Sequence, residues 1–413
     1  MNEKIILKKM VKRNQSMGKL QAGYLFPEIT RRKNEFLEKN PDAKIISLGI
    51  GDTTEPITRH IGGALSDAAS GLGTDRGYNG YGDEQGLTEL REKIASEIYN
   101  GIVSSEEIFV SDGAKPDIGR LQLLFGNDTT VAVQDPAYPV YIDSSVMFGK
   151  TGNYDNADGK FGSIVYMPCL PENNFFPDLK KMKRADVIFF CSPNNPTGAV
   201  ATKEQLQSLV EYARENKSII IFDAAYSEYI TDEDIPKSIF EIDGARGVAV
   251  EVNSFSKSVG FTGVRLGWTV VPNELKFEDG SLVRDDWNRV VTTLFNGASN
   301  ISQKGALAAL DDKGAKEMQQ TVSYYMENAK IIKNCLEELG YEIYGGDNAP
   351  YIWVSMRGKK SWESFDYILE NANIVTTPGV GFGKAGEGFL RFSAFGHRKD
   401  IKEAVQRLKV HLK

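Results

Sequence analysis

The sequence predicts an α/β protein with a large domain on a mostly parallel, doubly wound sheet and a smaller α+β domain assembled from both chain ends. Three observations predict it. Five short apolar runs alternate with helix-like segments through the middle of the chain. Residues capable of chemistry follow each run at once. Beyond residue 300 the rhythm changes to a long amphipathic segment and separate strand-like runs.

The five runs are IFVSDG (108–113), VAVQDPAY (131–138), VIFFCSPNNPTG (187–198), SIIIFDAAY (218–226) and VAVEVNSFSK (248–257). Apolar stretches of this length suit strands buried on both faces. The segment 203–217 between them reads as a helix, and strands alternating with helices imply a parallel sheet. In such sheets ligands bind beyond the carboxyl ends of the strands. Residues 321–340 read as a long amphipathic helix ending at Gly340, and 351–358 and 388–395 as strands of the second domain. The N-terminal segment, a loop that becomes a helix near GYLFPEITRRKNEFLEK, is expected to pack with them. These readings place the large domain at 49–300 and the small one at 1–48 and 301–413.

Composition narrows the function. The chain has 413 residues, more than one ordinary core organises, with 41% hydrophobic and 25% charged residues. Its net charge of −7 disfavours nucleic-acid binding. Cys169, Cys191 and Cys335 form no CxxC pair, and His60, His397 and His411 show no metal-ligand spacing, so no metal site is expected. No 18-residue apolar run occurs and the N-terminus lacks a secretory apolar core, so a cytoplasmic protein without membrane contact is expected. GFGKAG (381–386) fits GxGxxG but precedes a strand, which fails the dinucleotide reading.

The chemistry begins at SFSK (254–257). A lysine after a buried strand is partly desolvated, which frees its amine for a Schiff base with an aldehyde cofactor. Ser254, Ser256 and Arg265 can bind a phosphate beside Lys257. Gly113 and Ala114, in SDGAK with Lys115, open a predicted helix whose N–H groups suit the same phosphate. Asp223 ends an apolar strand and needs a cationic partner; the protonated ring nitrogen of pyridoxal 5'-phosphate would be one. Tyr226 and Asn195 can donate to that cofactor's phenolic oxygen, and Tyr138 can stack on its ring. Arg391, inside an apolar strand, can clamp a carboxylate bidentately. Each motif alone reads equally as a turn, a cap or core packing. Their joint order decides between the readings.

That order, SDGAK, DPAYP, SPNNPTG, DAAY, SFSK and GVRLGW between residues 111 and 268, resembles the fold-type I, class I/II aminotransferases, which depend on pyridoxal phosphate. KLQAGYLFPEITRR (19–32), LGIGDTTEPI (48–57), GYNGYGDEQG (77–86) and FNGASNISQ (295–303) are similar to the LL-diaminopimelate aminotransferase group. The resemblance implies catalysis by Lys257, Asp223 and Tyr226. It implies a substrate site of Tyr24, Gly51, Tyr81, Lys115, Tyr138, Asn195, Asn300 and Arg391, to which Glu84 is added as the partner of a distal ammonium. Amino-acid and keto-acid substrates follow, and a homodimer in which Tyr81 and Asn300 reach the neighbour's site. Another enzyme of the same fold, a different amino-acid aminotransferase or a β-lyase, is the alternative; the N-terminal and GYGDEQG segments argue against the β-lyase. A cofactor-binding regulator would need a DNA-binding domain, which the chain's acidity disfavours.

Overall fold

The computed structural model of the protein describes residues 11–21 and 25–412. Its centre is a seven-stranded sheet of β1 (Ile108–Ser111), β2 (Val131–Asp135), β3 (Ile164–Pro168), β4 (Val187–Cys191), β5 (Ile219–Asp223), β6 (Ala249–Ser254) and β7 (Gly267–Val270). The spatial order is β1-β7-β6-β5-β4-β2-β3. All five predicted runs are strands of this sheet. The β2, β3, β4, β5 and β6 pairings are parallel, and β7 runs antiparallel to both β1 and β6. β3 and β7 were not anticipated. β7 is four residues long and overlaps the GVRLGW motif, and β3, at the sheet edge, is only partly buried.

The central strands are buried at every position because each face enters a core. Ile188 and Phe190 of β4 point into one, with Ile220, Phe222 and Ala249; Val187, Phe189 and Cys191 point into the other, with Ile221, Val250 and Val252. That alternation is the two-residue period of a strand serving two covering layers.

The helix Lys203–Asn216 is set by its own sequence. Thr202 Oγ1 accepts from Gln205 N, Gln205 Oε1 accepts from Thr202 N, and Leu206, Leu209, Val210 and Ala213 form its buried stripe. Lys217, in the left-handed region at φ 52°, ends it.

The later helix starts earlier than predicted, spanning Asp312–Glu338. Asp311 caps it by accepting from Lys313 and Gly314 N. Gly314, a poor helix former, is required there because a Cβ would lie 2.7 Å from Ala309 Cα. Gly340, at φ +73°, closes the end as expected.

A four-stranded antiparallel sheet follows, with β8 (Ile343–Gly345), β9 (Tyr351–Ser355), β10 (Thr377–Pro378) and β11 (Phe389–Ser393) in the order β8-β9-β11-β10. Its core takes in Leu25, Ile29, Ile46 and Leu48 from the N-terminal segment, and Ile46–Ser47 pairs in parallel with Ile374–Val375. The helix within GYLFPEITRRKNEFLEK is Phe26–Lys39. GFGKAG forms two short turns before β11, with no helix after it. Among the described residues no helix is long and apolar enough to cross a membrane, and no group of three or more His, Cys, Asp or Glu side chains is placed to hold a metal ion.

Candidate active site

Topology delivers the chemistry to one place. Asp223 ends β5, Cys191 beside it ends β4, and Ser254 ends β6, so the carboxyl edges of three neighbouring strands open on one cavity of about 750 Å³. All ten residues expected to hold the cofactor line it: Ala114, Lys115, Tyr138, Asn195, Asp223, Tyr226, Ser254, Ser256, Lys257 and Arg265. Gly51 and Arg391 line it too.

Lys257 sits on a one-turn helix, Phe255–Ser258, begun by Ser254, whose Oγ accepts from Ser256 N at 3.0 Å. Its Nζ donates to Gly51 O. Burial pulls its ammonium down to about 8; Asp52 opposes the fall, and Arg391, Arg265 and Lys115 add to it. An amine titrating there is neutral in about a tenth of molecules at pH 7, far more than a solvated lysine.

The phosphate-binding reading has a formed cradle. Gly113 is the N-cap of the helix Ala114–Leu121 at φ +125°, open to glycine and strained for other residues. A Cβ there would strike the Arg265 guanidinium. Ser254 Oγ lies 2.9 Å from Ser256 Oγ, and Arg265 Nη1 donates weakly to Ser256 Oγ at 3.4 Å. Helix N–H groups, two hydroxyls and a guanidinium therefore converge, the donor set a phosphate takes.

Two buried charges complete the fit. Asp223 accepts from Tyr141 Oη at 2.7 Å and from Ala225 N at 3.1 Å, and among the described residues no Lys, Arg or His pairs with it. Burial holds its carboxyl above the usual range, against the two donors. Arg391 is buried; Nη1 donates to Asn195 Oδ1 at 2.6 Å and Nη2 to Gly49 O, Nε has no partner, and no carboxylate of the described residues reaches it. Lone buried charges cost several kcal/mol each unless a ligand completes them. A protonated ring nitrogen fits the first and a substrate carboxylate the second. Asn195 presents its carbonyl to Arg391, which leaves its amide N–H groups for a ligand.

Not every expected residue joins this cavity. Tyr81 and Asn300 line a separate cavity of about 650 Å³, and Tyr81 is 85% exposed. Glu84 is exposed on the same loop as Tyr81, and Asn300 Oδ1 lies where a Cβ on Gly82 would be. Tyr24 lies outside the described residues. The sequence reading missed Tyr141, the donor to Asp223, and Tyr351, whose Oη lies 2.7 Å from that of Tyr226. DPAYPVY offered Tyr141 as a second tyrosine three residues after Tyr138, a signal that was available; Tyr351 opens a predicted strand, with no motif around it to single it out.

The model of the family described as aminotransferase class I and II matches residues 43–408. The chain is 56% identical over 400 residues to the LL-diaminopimelate aminotransferase of Protochlamydia amoebophila (strain UWE25), covering 97% of each protein. It is 57% identical over 408 residues to the chloroplastic LL-diaminopimelate aminotransferase of Arabidopsis thaliana, covering 98% of this chain and 88% of that one. Among solved structures it matches the L,L-diaminopimelate aminotransferase from Chlamydomonas reinhardtii with a TM-score of 0.95 at 59% identity, covering 98% and 100%.

Proposed function

The chain belongs to the class I and II aminotransferase family and, within it, to the LL-diaminopimelate aminotransferases, and from that premise we propose how its residues move an amino group between LL-diaminopimelate and 2-oxoglutarate. In the biosynthetic direction the products are tetrahydrodipicolinate and glutamate, a step toward lysine and cell-wall precursors. The observation that carries the reading is the single cavity in which an unpaired Asp223, an unpaired Arg391, a phosphate cradle and a desolvated Lys257 face one another.

Pyridoxal phosphate, when bound, supplies an aldehyde that condenses with amines and a protonated ring that draws electrons from the substrate Cα. Ala114 N–H, Ser254, Ser256 and Arg265 would hold its phosphate. Asp223 would keep the ring nitrogen protonated, with Tyr141 orienting the carboxylate. Tyr226 and Asn195 would donate to the phenolic oxygen, and Tyr138 would stack on the ring. Lys257 would anchor the cofactor and, once substrate is bound, take the proton from the substrate Cα. Arg391 clamps the α-carboxylate while Asn195 orients the guanidinium. The β-lyase alternative is separated by product analysis: a keto acid and glutamate support transamination, and pyruvate with ammonia would contradict it.

The protein is read as a homodimer with shared sites. Support comes from Tyr81 and Glu84 on one loop and Asn300 at the start of the helix Asn300–Ala309, none of which lines the cavity that holds Lys257. Mixing Lys257→Ala with Asn300→Ala protein is expected to restore activity, toward a quarter of sites under random exchange, since each heterodimer assembles one intact site. No recovery after verified subunit exchange contradicts sharing. The chain is divided at 49–300 for the large domain, with 1–48 and 301–413 forming the small one. The place of action is read as the cytoplasm, in keeping with three buried, unpaired cysteines.

Recognition of the distal end of LL-diaminopimelate is assigned to Glu84 for the ammonium and Lys115 for the carboxylate, with Tyr24 and Gly51 against the substrate body. Glutamate has no distal ammonium. Glu84→Gln is therefore expected to lower kcat/KM for LL-diaminopimelate about 10- to 150-fold, the value of one charged hydrogen bond, and to spare glutamate. Half-reactions followed by cofactor absorbance measure both donors; equal losses remove Glu84 from recognition.

A further inference from the structure

Tyr351 is a buried tyrosine whose hydroxyl and ring face are each engaged by a different member of the site. It opens β9 and is 1% exposed. Its Oη lies 2.7 Å from Tyr226 Oη, and the two rings meet edge to face at 5.2 Å. The Arg391 guanidinium lies over its face, 4.4 Å from the centroid. Gly51 carries no side chain where a Cβ would strike the Tyr351 hydroxyl, so the backbone at Gly51 admits the phenol. Phe395 packs edge-on at 6.1 Å and fixes the ring from another side.

We infer that Tyr351 is a positioning residue that joins the two ends of the site, strengthening Tyr226 as a hydrogen-bond donor through its hydroxyl and holding the Arg391 clamp through its ring. The inference rests on the roles given above to Tyr226 and Arg391. A phenol has one proton to donate and can accept in return. When Tyr226 donates to the cofactor's phenolic oxygen, the short contact requires Tyr351 to donate to Tyr226. Hydrogen bonds in series polarise one another, so Tyr226 then donates more strongly. The ring acts separately, because a buried guanidinium without a carboxylate is steadied by a π face.

The test uses the holoenzyme and two substitutions at Tyr351. Tyr226's bond favours the form of the lysine–cofactor chromophore in which the phenolic oxygen is not neutralised by a neighbouring proton. Loss of that bond moves the pH midpoint of the visible absorbance upward, by about 1–2 units for Tyr226→Phe. Tyr351→Phe is expected to move it the same way by roughly 0.3 units, with KM for glutamate unchanged because the ring remains. In the Tyr226→Phe background the same substitution adds nothing. Tyr351→Leu, which removes the ring, is expected to lower kcat/KM for glutamate about 5- to 30-fold through KM; if it does not fold, the phenylalanine variant still decides. A Tyr351→Phe midpoint equal to wild type, where Tyr226→Phe has moved it, overturns the inference and leaves the role of Tyr226 standing. So does an additive shift in the double variant. No movement in Tyr226→Phe itself overturns both.

Discussion

Lys257→Ala protein is expected to lose at least about 10⁴-fold in kcat with either amino donor. The side chain is proposed as the anchoring amine and as the proton carrier at the substrate Cα, and general acid–base catalysis alone contributes about 10²- to 10⁴-fold. The cavity supports both uses. Burial brings the amine down to about 8, so a neutral nucleophile exists at physiological pH. The carbonyl of Gly51 holds Nζ in the cavity that Asp223 and Arg391 share. Cofactor affinity is expected to survive, because Ser254, Ser256, Arg265 and Asp223 remain. Equilibrium dialysis should find the cofactor bound, and borohydride should no longer fix it to the chain. Reduction of the wild-type protein followed by peptide mapping checks the anchor; a label on any other lysine contradicts the assignment.

Asp223→Ala is expected to slow the chemical step about 10²- to 10³-fold in single-turnover measurements, with substrate affinity within a few-fold of wild type. The carboxylate is proposed to stabilise charge that develops on the cofactor ring, and loss of one such preorganised group costs about 10²- to 10³-fold. Near-normal single-turnover rates remove the role. The residue also carries a thermodynamic signature. Burial raises its folded pKa above the unfolded value. Between those two values the folded apoprotein binds more protons than the unfolded chain, so apoprotein stability falls as pH rises through that window, and the ionised group is a liability at neutral pH. Asp223→Asn, which retains a partner for Tyr141, should leave apoprotein Tm at pH 7 unchanged or higher. The site sacrifices stability for its ligand, as sites built on unpaired charges do.

The sequence made the central sheet legible because strands buried on both faces must be apolar at every position. The run ending at Cys191 carries that signature without interruption and the run ending at Asp223 up to its last residue, while the run ending at Ser254 is buried throughout but admits Glu251 and Asn253. β7 escaped because its four residues follow directly on the site loop. The long helix was read too short because its first turns, DKGAKEMQQ, are polar with a glycine among them, and the cap at Asp311 outweighs both. The residues that line the Lys257 cavity could be picked out because most of them follow a strand closely, which is where this topology places ligands. Tyr141 and Tyr351 were not, since a tyrosine that works through its hydroxyl has the same local pattern as one that only packs. Tyr81 and Asn300 came from family resemblance and Glu84 from the charge a distal ammonium needs; Tyr81 and Asn300 line a cavity separate from that of Lys257.

The central claim is that this one cavity exchanges an amino group between LL-diaminopimelate and 2-oxoglutarate. It is tested by titrating purified holoenzyme with LL-diaminopimelate while recording the cofactor spectrum, then adding 2-oxoglutarate. The account predicts that one equivalent of LL-diaminopimelate per site converts the visible band to that of the amine form without free ammonia, and that 2-oxoglutarate restores the band and yields glutamate. A spectrum unmoved by LL-diaminopimelate, or a change accompanied by ammonia and pyruvate, contradicts it.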